Sequence, residues 1–311
     1  MKNFLQKNIF TICILAAGTL WGTMGLFVRN LANDGLKTIE IVFFRSLVAA
    51  LLMFIYLFVR DKSLLIIKLK DIWCFVGTGI ISLTTFNICY FTTIQKTSMA
   101  VAAILLYTSP IFVVLLSAFL FREKITGAKI IALLVAFLGC IFVTGIMSGE
   151  GMVMDGLGIA IGVCSGLGYA LYSIFGRFAI EKGYGSGTIS FYTFLFASIG
   201  MLVASLFICP IGEIVIKLSE GNTIRDVLLI VGIAIVATVL PYLLYTKGLS
   251  GVENGKAGIM ASIEPVVASI IGIIVYGERL SLSTGLGIVL VLFAIVMLNI
   301  DFTVIFHKKH K

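Results

Sequence analysis

Ala103–Glu123 reads AILLYTSPIFVVLLSAFLFRE, and Gly258–Glu278 reads GIMASIEPVVASIIGIIVYGE. The second stretch repeats the first at an offset of 155 residues, so that Pro110 answers to Pro265 and Glu123 to Glu278. Each copy is an apolar helix with a proline near its middle and a glutamate at its far end. A membrane helix repeated in this way marks two related halves around a shared site.

The composition agrees. Of 311 residues, 60% are hydrophobic and 12% charged, with a mean hydropathy of +1.14. A soluble domain carries roughly 25% charged residues. The chain therefore reads as an integral membrane protein, and no long stretch is polar enough for a soluble domain. Its net charge of +8 is read as topology and not as a nucleic-acid footprint, because basic residues collect in cytoplasmic loops. Cys13, Cys74, Cys89, Cys140, Cys164 and Cys209 lie in or beside apolar stretches without a C-x-x-C pairing. They read as reduced thiols acting as small hydrophobes. His307 and His310 are the only histidines, both in the tail, so no metal site and no cofactor are expected. Lys2 and Lys7 precede an apolar run that continues to about Val28 without a cleavage signal, which reads as a retained anchor and not a signal peptide.

A span needs roughly 20 mostly apolar residues. Ten fit, at about 8–28, 39–59, 71–94, 97–121, 127–147, 156–178, 187–209, 226–247, 254–276 and 282–300. Ten spans put both termini on one side. With both ends cytoplasmic, sixteen of the 23 basic residues fall on inner segments and six on outer ones, Arg45 lying inside a span. The expected location is the cell membrane, multi-pass, with both termini cytoplasmic.

The first and sixth spans also match, at offset 148: Gly18 with Gly166, Trp21 with Tyr169, Phe27 with Phe175, Arg29 with Arg177, and Gly35 with Gly183. The longer 210–225 loop absorbs the difference between the two offsets. Each half therefore holds five spans, over 1–148 and 156–303, followed by a basic cytoplasmic tail at 304–311. An odd number of spans inserts the second copy upside down. The expected fold is an all-α membrane protein of ten helices in two inverted five-helix repeats, an arrangement used for alternating access.

Two five-helix halves, each with a P-x12-E stretch, resemble the drug/metabolite transporter superfamily, specifically its EamA-type members. The motif regions are KTSMAVAAILLYTSPIFVVLLSAFLFREKIT in the first half and LSGVENGKAGIMASIEPVVASIIGIIVYGERLS in the second. The Trp21–Gly22 pair and Arg45 in FFRSL are similar to that family too. The resemblance implies proton-coupled or otherwise secondary transport of small metabolites, often export of amino acids or related compounds. The second half departs from the first where Arg45 maps to about Thr193, making any charge role there one-sided.

Glu264 is the sharpest candidate for chemistry. It sits near the middle of the ninth span, where an ionised carboxylate costs about 3 kcal/mol on insertion scales and is paired, neutralised or facing a watery cavity. It is the expected coupling site for a proton or cation and a substrate ligand; a protonated glutamate bonded to a neighbouring helix is the structural alternative. Its counterpart is Ser109, which breaks the symmetry at that point. Pro110 and Pro265 remove a backbone hydrogen bond and kink their helices. The carbonyls freed near Leu106 and Ala261 can face a cavity, or the kinks serve packing alone. Trp21, Tyr90, Tyr107, Tyr169 and Tyr242 are the expected substrate-binding aromatics, with Tyr172 and Tyr245 of the same kind; ring faces with hydroxyls suit amphipathic or cationic substrates. An aromatic core or interface belt explains any single one better, and the matched pair Trp21 and Tyr169 are the best candidates. Arg45 either attracts an anionic group or snorkels to the surface or to Glu40. Asn87, Thr84, Gln95 and Ser262 need no reading beyond interhelical hydrogen bonds. Glu123 and Glu278 read as loop anchors or gates. Gly156-x-Gly158 and Gly162-x3-Gly166-x-Gly168 lie in an apolar span with no preceding strand, so helix packing explains them better than phosphate binding.

The leading function is a secondary transporter that exports a small polar metabolite through a midplane cavity lined by spans 1, 3, 4, 6, 8 and 9. Uptake of a cationic nutrient such as a quaternary amine is the runner-up. A membrane enzyme or scramblase belongs to a different class, but no histidine in the spans can serve as a base. The expected partners are a small-molecule substrate and the lipid bilayer, with no nucleic acid, and a monomer satisfies the pattern.

Overall fold

A proline supplies no backbone N–H, so it sits without loss only in the first turn of a helix. Both repeated prolines occupy such a turn. In the computed structural model the apolar helices are α1 (Ile9–Asn33), α2 (Thr38–Arg60), α3 (Leu69–Lys96), α4 (Met99–Phe121), α5 (Gly127–Val143), α6 (Gly156–Glu181), α7 (Ser186–Phe207), α8 (Ile224–Leu249), α9 (Asn254–Tyr276) and α10 (Leu282–Asn299). Within α4 the helix runs over Met99–Leu106 and restarts at Ser109–Phe121; within α9 it runs over Asn254–Ala261 and restarts at Ile263–Tyr276. The expected kinks are thus full breaks, each placing its proline where the missing donor has no partner to lose.

The structure describes residues 2–144, 155–208, 223–278 and 280–299. Cys209, Lys217, Arg279, both histidines and the 304–311 tail lie outside the described residues. Among the described residues nine helices are long and apolar enough to cross a membrane, and α5, with 17 residues, is a shorter apolar helix. At 1.5 Å per residue α5 reaches about 26 Å. It packs along α10, where a Cβ on Gly139 would lie 2.9 Å from Gly287 O and one on Gly287 2.6 Å from Gly139 O. Only paired glycines let two backbones approach that closely. Large apolar side chains such as Phe119, Ile274 and Leu282 point outward, as a bilayer-facing surface requires.

The repeat is visible in local hydrogen bonding as well as in topology. α1 ends with Gly35 at φ +92° and a bond from Leu36 N to Leu31 O; α6 ends with Gly183 at φ +90° and a bond from Tyr184 N to Ala179 O. Both are glycine-terminated helix ends that satisfy the last carbonyls. α3 and α8 each contain a wide π-helical turn, over Gly77–Thr84 and Ile235–Val239, in which Thr84 donates to Gly79 O and Thr238 to Ile233 O. α4 and α9 both end in a left-handed residue, Arg122 and Gly277, followed by bonds from Glu123 N to Ser117 O and Glu278 N to Gly272 O. Thr126 and Ser281 then accept from Lys129 N and Thr284 N at the starts of α5 and α10.

The halves, α1–α5 and α6–α10, are held together across their seam by a core that includes Ile14, Ala17, Trp21, Met53, Leu57, Tyr172, Phe194, Tyr242, Tyr245 and Met260. Ion pairs reinforce it at both faces. At the face carrying residues 61–68, here the basic face, Lys182 Nζ lies 2.8 Å from Asp71 Oδ1 and Tyr184 donates to Asp71 Oδ2. At the opposite face Arg225 bonds Asp34 at 3.2 Å and Asn30 at 3.0 Å.

Candidate functional site

The matched spans α1 and α6 line the seam, and each lays a glycine on the break of the other half. A Cβ on Gly18 would lie 3.2 Å from Ala261 O, and one on Gly166 would lie 2.7 Å from Leu105 O and 3.4 Å from Leu106 O. The carbonyls freed by the breaks therefore lie against helix backbone and not across an open space. One turn further along, the matched pair Trp21 and Tyr169 meet, with ring centroids 6.1 Å apart.

Trp21 is the hub of an aromatic cluster. Its ring lies 5.2 Å from both Tyr242 and Tyr245, and Tyr172 packs edge-on to Tyr242 at 4.9 Å. These four rings are buried. With Tyr169, Ser109, Ser173 and Ala261 they line a narrow void of about 20 Å³, room for about one water molecule. Every buried hydroxyl needs a partner. Tyr172 pairs with Thr246 at 2.6 Å and Tyr245 with Ser173 at 2.9 Å. Tyr169 donates to Glu264 Oε2 at 3.2 Å.

Glu264 is the second residue of the half-helix that restarts after the α9 break. Its carboxylate stands at a helix N-terminus, whose dipole favours negative charge. It is only partly buried, as are Tyr169, Tyr107 and Tyr90. Tyr90 and Tyr107 both come within range of its charge, and so does Arg45. The expected set Trp21, Tyr90, Tyr107, Tyr169, Tyr242 and Glu264 is thus gathered around one centre. Pro110 and Pro265 are themselves buried, each in the first turn of the half-helix that restarts after its break.

Arg45 does not reach for the membrane surface. It is 3% exposed, donates to Asn87 Oδ1 at 3.4 Å and contacts Met24 sulfur at 3.7 Å. The buried guanidinium and the Glu264 carboxylate therefore stand within electrostatic range of each other. Sequence reading passed over Phe86, which packs on Tyr169 at 5.2 Å, and over Ser173 and Thr246. Ser173 carried a signal, since it follows Tyr169 by one helical turn on the same face; Phe86 and Thr246 carried none, because Phe86 meets Tyr169 across the seam and Thr246 meets Tyr172 on a distant helix of its own half.

Comparison with known proteins places this geometry. A family model described as the EamA-like transporter family matches residues 8–145 and again 156–300. An uncharacterized transporter of Archaeoglobus fulgidus is 28% identical over 278 residues, covering 88% of this chain and 90% of that protein. The uncharacterized transporters YwfM and YxxF of Bacillus subtilis are 25% and 27% identical, covering 95% and 92% of this chain and 95% and 88% of their own length. A solved crystal structure superposes with a TM-score of 0.77 over 97% of this chain and 99% of its own, at 16% identity, which speaks for the fold alone. With one match to each half of a ten-helix bundle, the chain belongs to the EamA-like transporter family, and it is a multi-pass membrane transporter.

Proposed function

We propose that this transporter is a secondary one, moving a small polar metabolite, an amino acid or a related compound, by alternating access, with Glu264 as the proton-coupling group. The repeats are assigned to 1–148 and 156–303, with both termini and the 304–311 tail in the cytoplasm, so that the basic face is the inner one. The observation that carries the reading is the placement of Glu264. It is a partly exposed carboxylate at a helix break in the bundle centre, hydrogen-bonded to Tyr169 and within reach of the charge of buried Arg45. A carboxyl there exchanges a proton with a cavity, and the paired charges suit a zwitterion's two ends. Efflux is favoured over uptake by the resemblance.

The test has two parts. A thermal-shift screen against amino acids, amines, nucleosides and sugars identifies the ligand, which adds about 2.7 kcal/mol of stability at a hundred times its dissociation constant. Glu264→Gln is then assayed in proteoliposomes. Loss of flux driven by a pH gradient, with ligand stabilisation retained, supports coupling; unchanged flux removes Glu264 from the mechanism. The second reading, uptake of a quaternary amine, draws on the Tyr242 and Tyr245 rings, each 5.2 Å from that of Trp21, because a cation prefers aromatic faces. It requires Glu264→Gln to abolish ligand binding itself.

A further inference from the structure

The repeated glutamates that end α4 and α9 occupy equivalent backbone positions and yet do different things. Glu123 reaches across the seam to the start of α9. Its Oε1 accepts from Asn254 N at 2.7 Å and its Oε2 from Gly255 N at 3.1 Å. Buried Lys129 adds contacts to Glu123 at 3.8 Å and Glu253 at 2.7 Å. The join is dry: the Glu123 side chain is 11% exposed and Asn254 0%. Beneath it the second half-helix of α4 packs on the first half-helix of α9, with Val113 and Val114 against Gly258 and Gly255.

Offset by 155, the counterparts of Asn254 and Gly255 are Met99 and Ala100, at the start of α4. Glu278 makes no such join. It pairs with Arg29 at 3.3 Å, with side chains 57% and 54% exposed. Met99 is 69% exposed. The first half-helix of α4 and the second half-helix of α9 make no packing comparable to that of their counterparts. Arg177, the counterpart of Arg29, lies at the closed face and spends its guanidinium on Leu249 O at 2.7 Å and Glu181 at 3.2 Å.

We propose that Glu123 and Glu278 are alternate latches of the transport cycle. Glu123 on the amides of Asn254 and Gly255 holds the basic face shut. In the opposite state Glu278 leaves Arg29 for the amides of Met99 and Ala100 and shuts the other face, while Glu123 is released toward Arg177. Each latch is a carboxylate on the N-terminus of an eight-residue half-helix, where two N–H groups and the helix dipole favour an anion. The inference rests on the alternating-access reading. It adds which residues hold each end state and why both are of one type: inverted repeats exchange their conformations when the transporter turns over, so what one latch does now the other does next.

The test is a pair of distances measured by electron–electron resonance in nanodiscs. Spin labels at Lys124 and Ser250 report the basic face and labels at Gln95 and Leu280 the opposite face, with native cysteines replaced. Glu123→Gln lengthens the first distance and shortens the second, shifting the ratio of the two states by about tenfold or more, since two buried hydrogen bonds to a charged group are lost from one state and only an exposed ion pair from the other. Glu123→Asp, which keeps the charge but shortens the reach, gives a smaller shift in the same direction and serves where glutamine does not fold. Adding Glu278→Gln to either variant reverses the shift. So does adding Met99→Pro, which deletes one amide at a first helical position that tolerates proline. Two populations that leave Glu123→Gln and Glu278→Gln without effect, or that both variants move in one direction, overturn the latches and leave alternating access standing. A single distance at each face in every variant, with ligand and without, overturns both.

Discussion

Gly166→Ala adds one methyl group where α6 crosses the break in α4. The new Cβ would lie 2.7 Å from Leu105 O, and closer still to Thr108 Oγ1. Ordinary contact begins near 3.4 Å, so α6 must retreat by about 0.7 Å from a backbone oxygen that cannot rotate away. Overpacking of this kind costs about 1–3 kcal/mol. With about 2–4 °C per kcal/mol for a chain of 150–250 residues, the thermal unfolding midpoint in detergent falls by several degrees. The same change at Gly25, in α1, meets nothing within 4 Å; there alanine's better helix propensity adds up to about 1 kcal/mol. Both variants are followed by the same tryptophan or dye signal, side by side. A Gly166→Ala protein that unfolds at or above the wild-type temperature, while Gly25→Ala behaves as stated, refutes the close approach of α6 to the break and with it the account of how the seam is built.

Gly35→Ala places a Cβ on a residue at φ +92°, outside the region L-residues adopt at low cost, and lowers stability by about 1–2 kcal/mol, read in the same unfolding assay. Lys182→Ala lowers the midpoint more than Arg225→Ala, because the carboxylate it strands is the more deeply buried, Asp71 at 4% against Asp34 at 24%. Exchanging Asp71 and Lys182 together restores part of the loss, and no recovery in that double variant would remove the pair from the seam.

Much of the architecture was legible in the chain itself, and the reason is physical. A span is set by bilayer thickness and announces itself as apolar length. A break suits proline and a left-handed helix end favours glycine, so Pro110, Pro265, Gly35 and Gly183 stand out as repeated letters. Trp21 and Tyr169, matched at offset 148, do meet. What stayed hidden were relations between helices distant in sequence. The sequence put Arg45 in a span but not beside Asn87, and it put Glu123 at a helix end but not on the amides of Asn254. The sequence left open whether the carbonyls near the breaks face a cavity or packed helix, and two glycines lie against them. Each of these depends on how helices far apart in sequence lie against one another, within a half for Arg45 and Asn87 and across the seam for the rest, which no local pattern carries.

The ion pairs at the two faces have a consequence for how such a chain can arise. Asp71 and Arg225 hold one equivalent position, Asp34 and Lys182 the other. Were the first half to dimerise with a second first half, Asp71 would confront Asp34, carboxylate on carboxylate. Two second halves would set Arg225 against Lys182. Swapped signs thus forbid self-pairing and permit only the mixed assembly, so each half recognises its sister and rejects its twin.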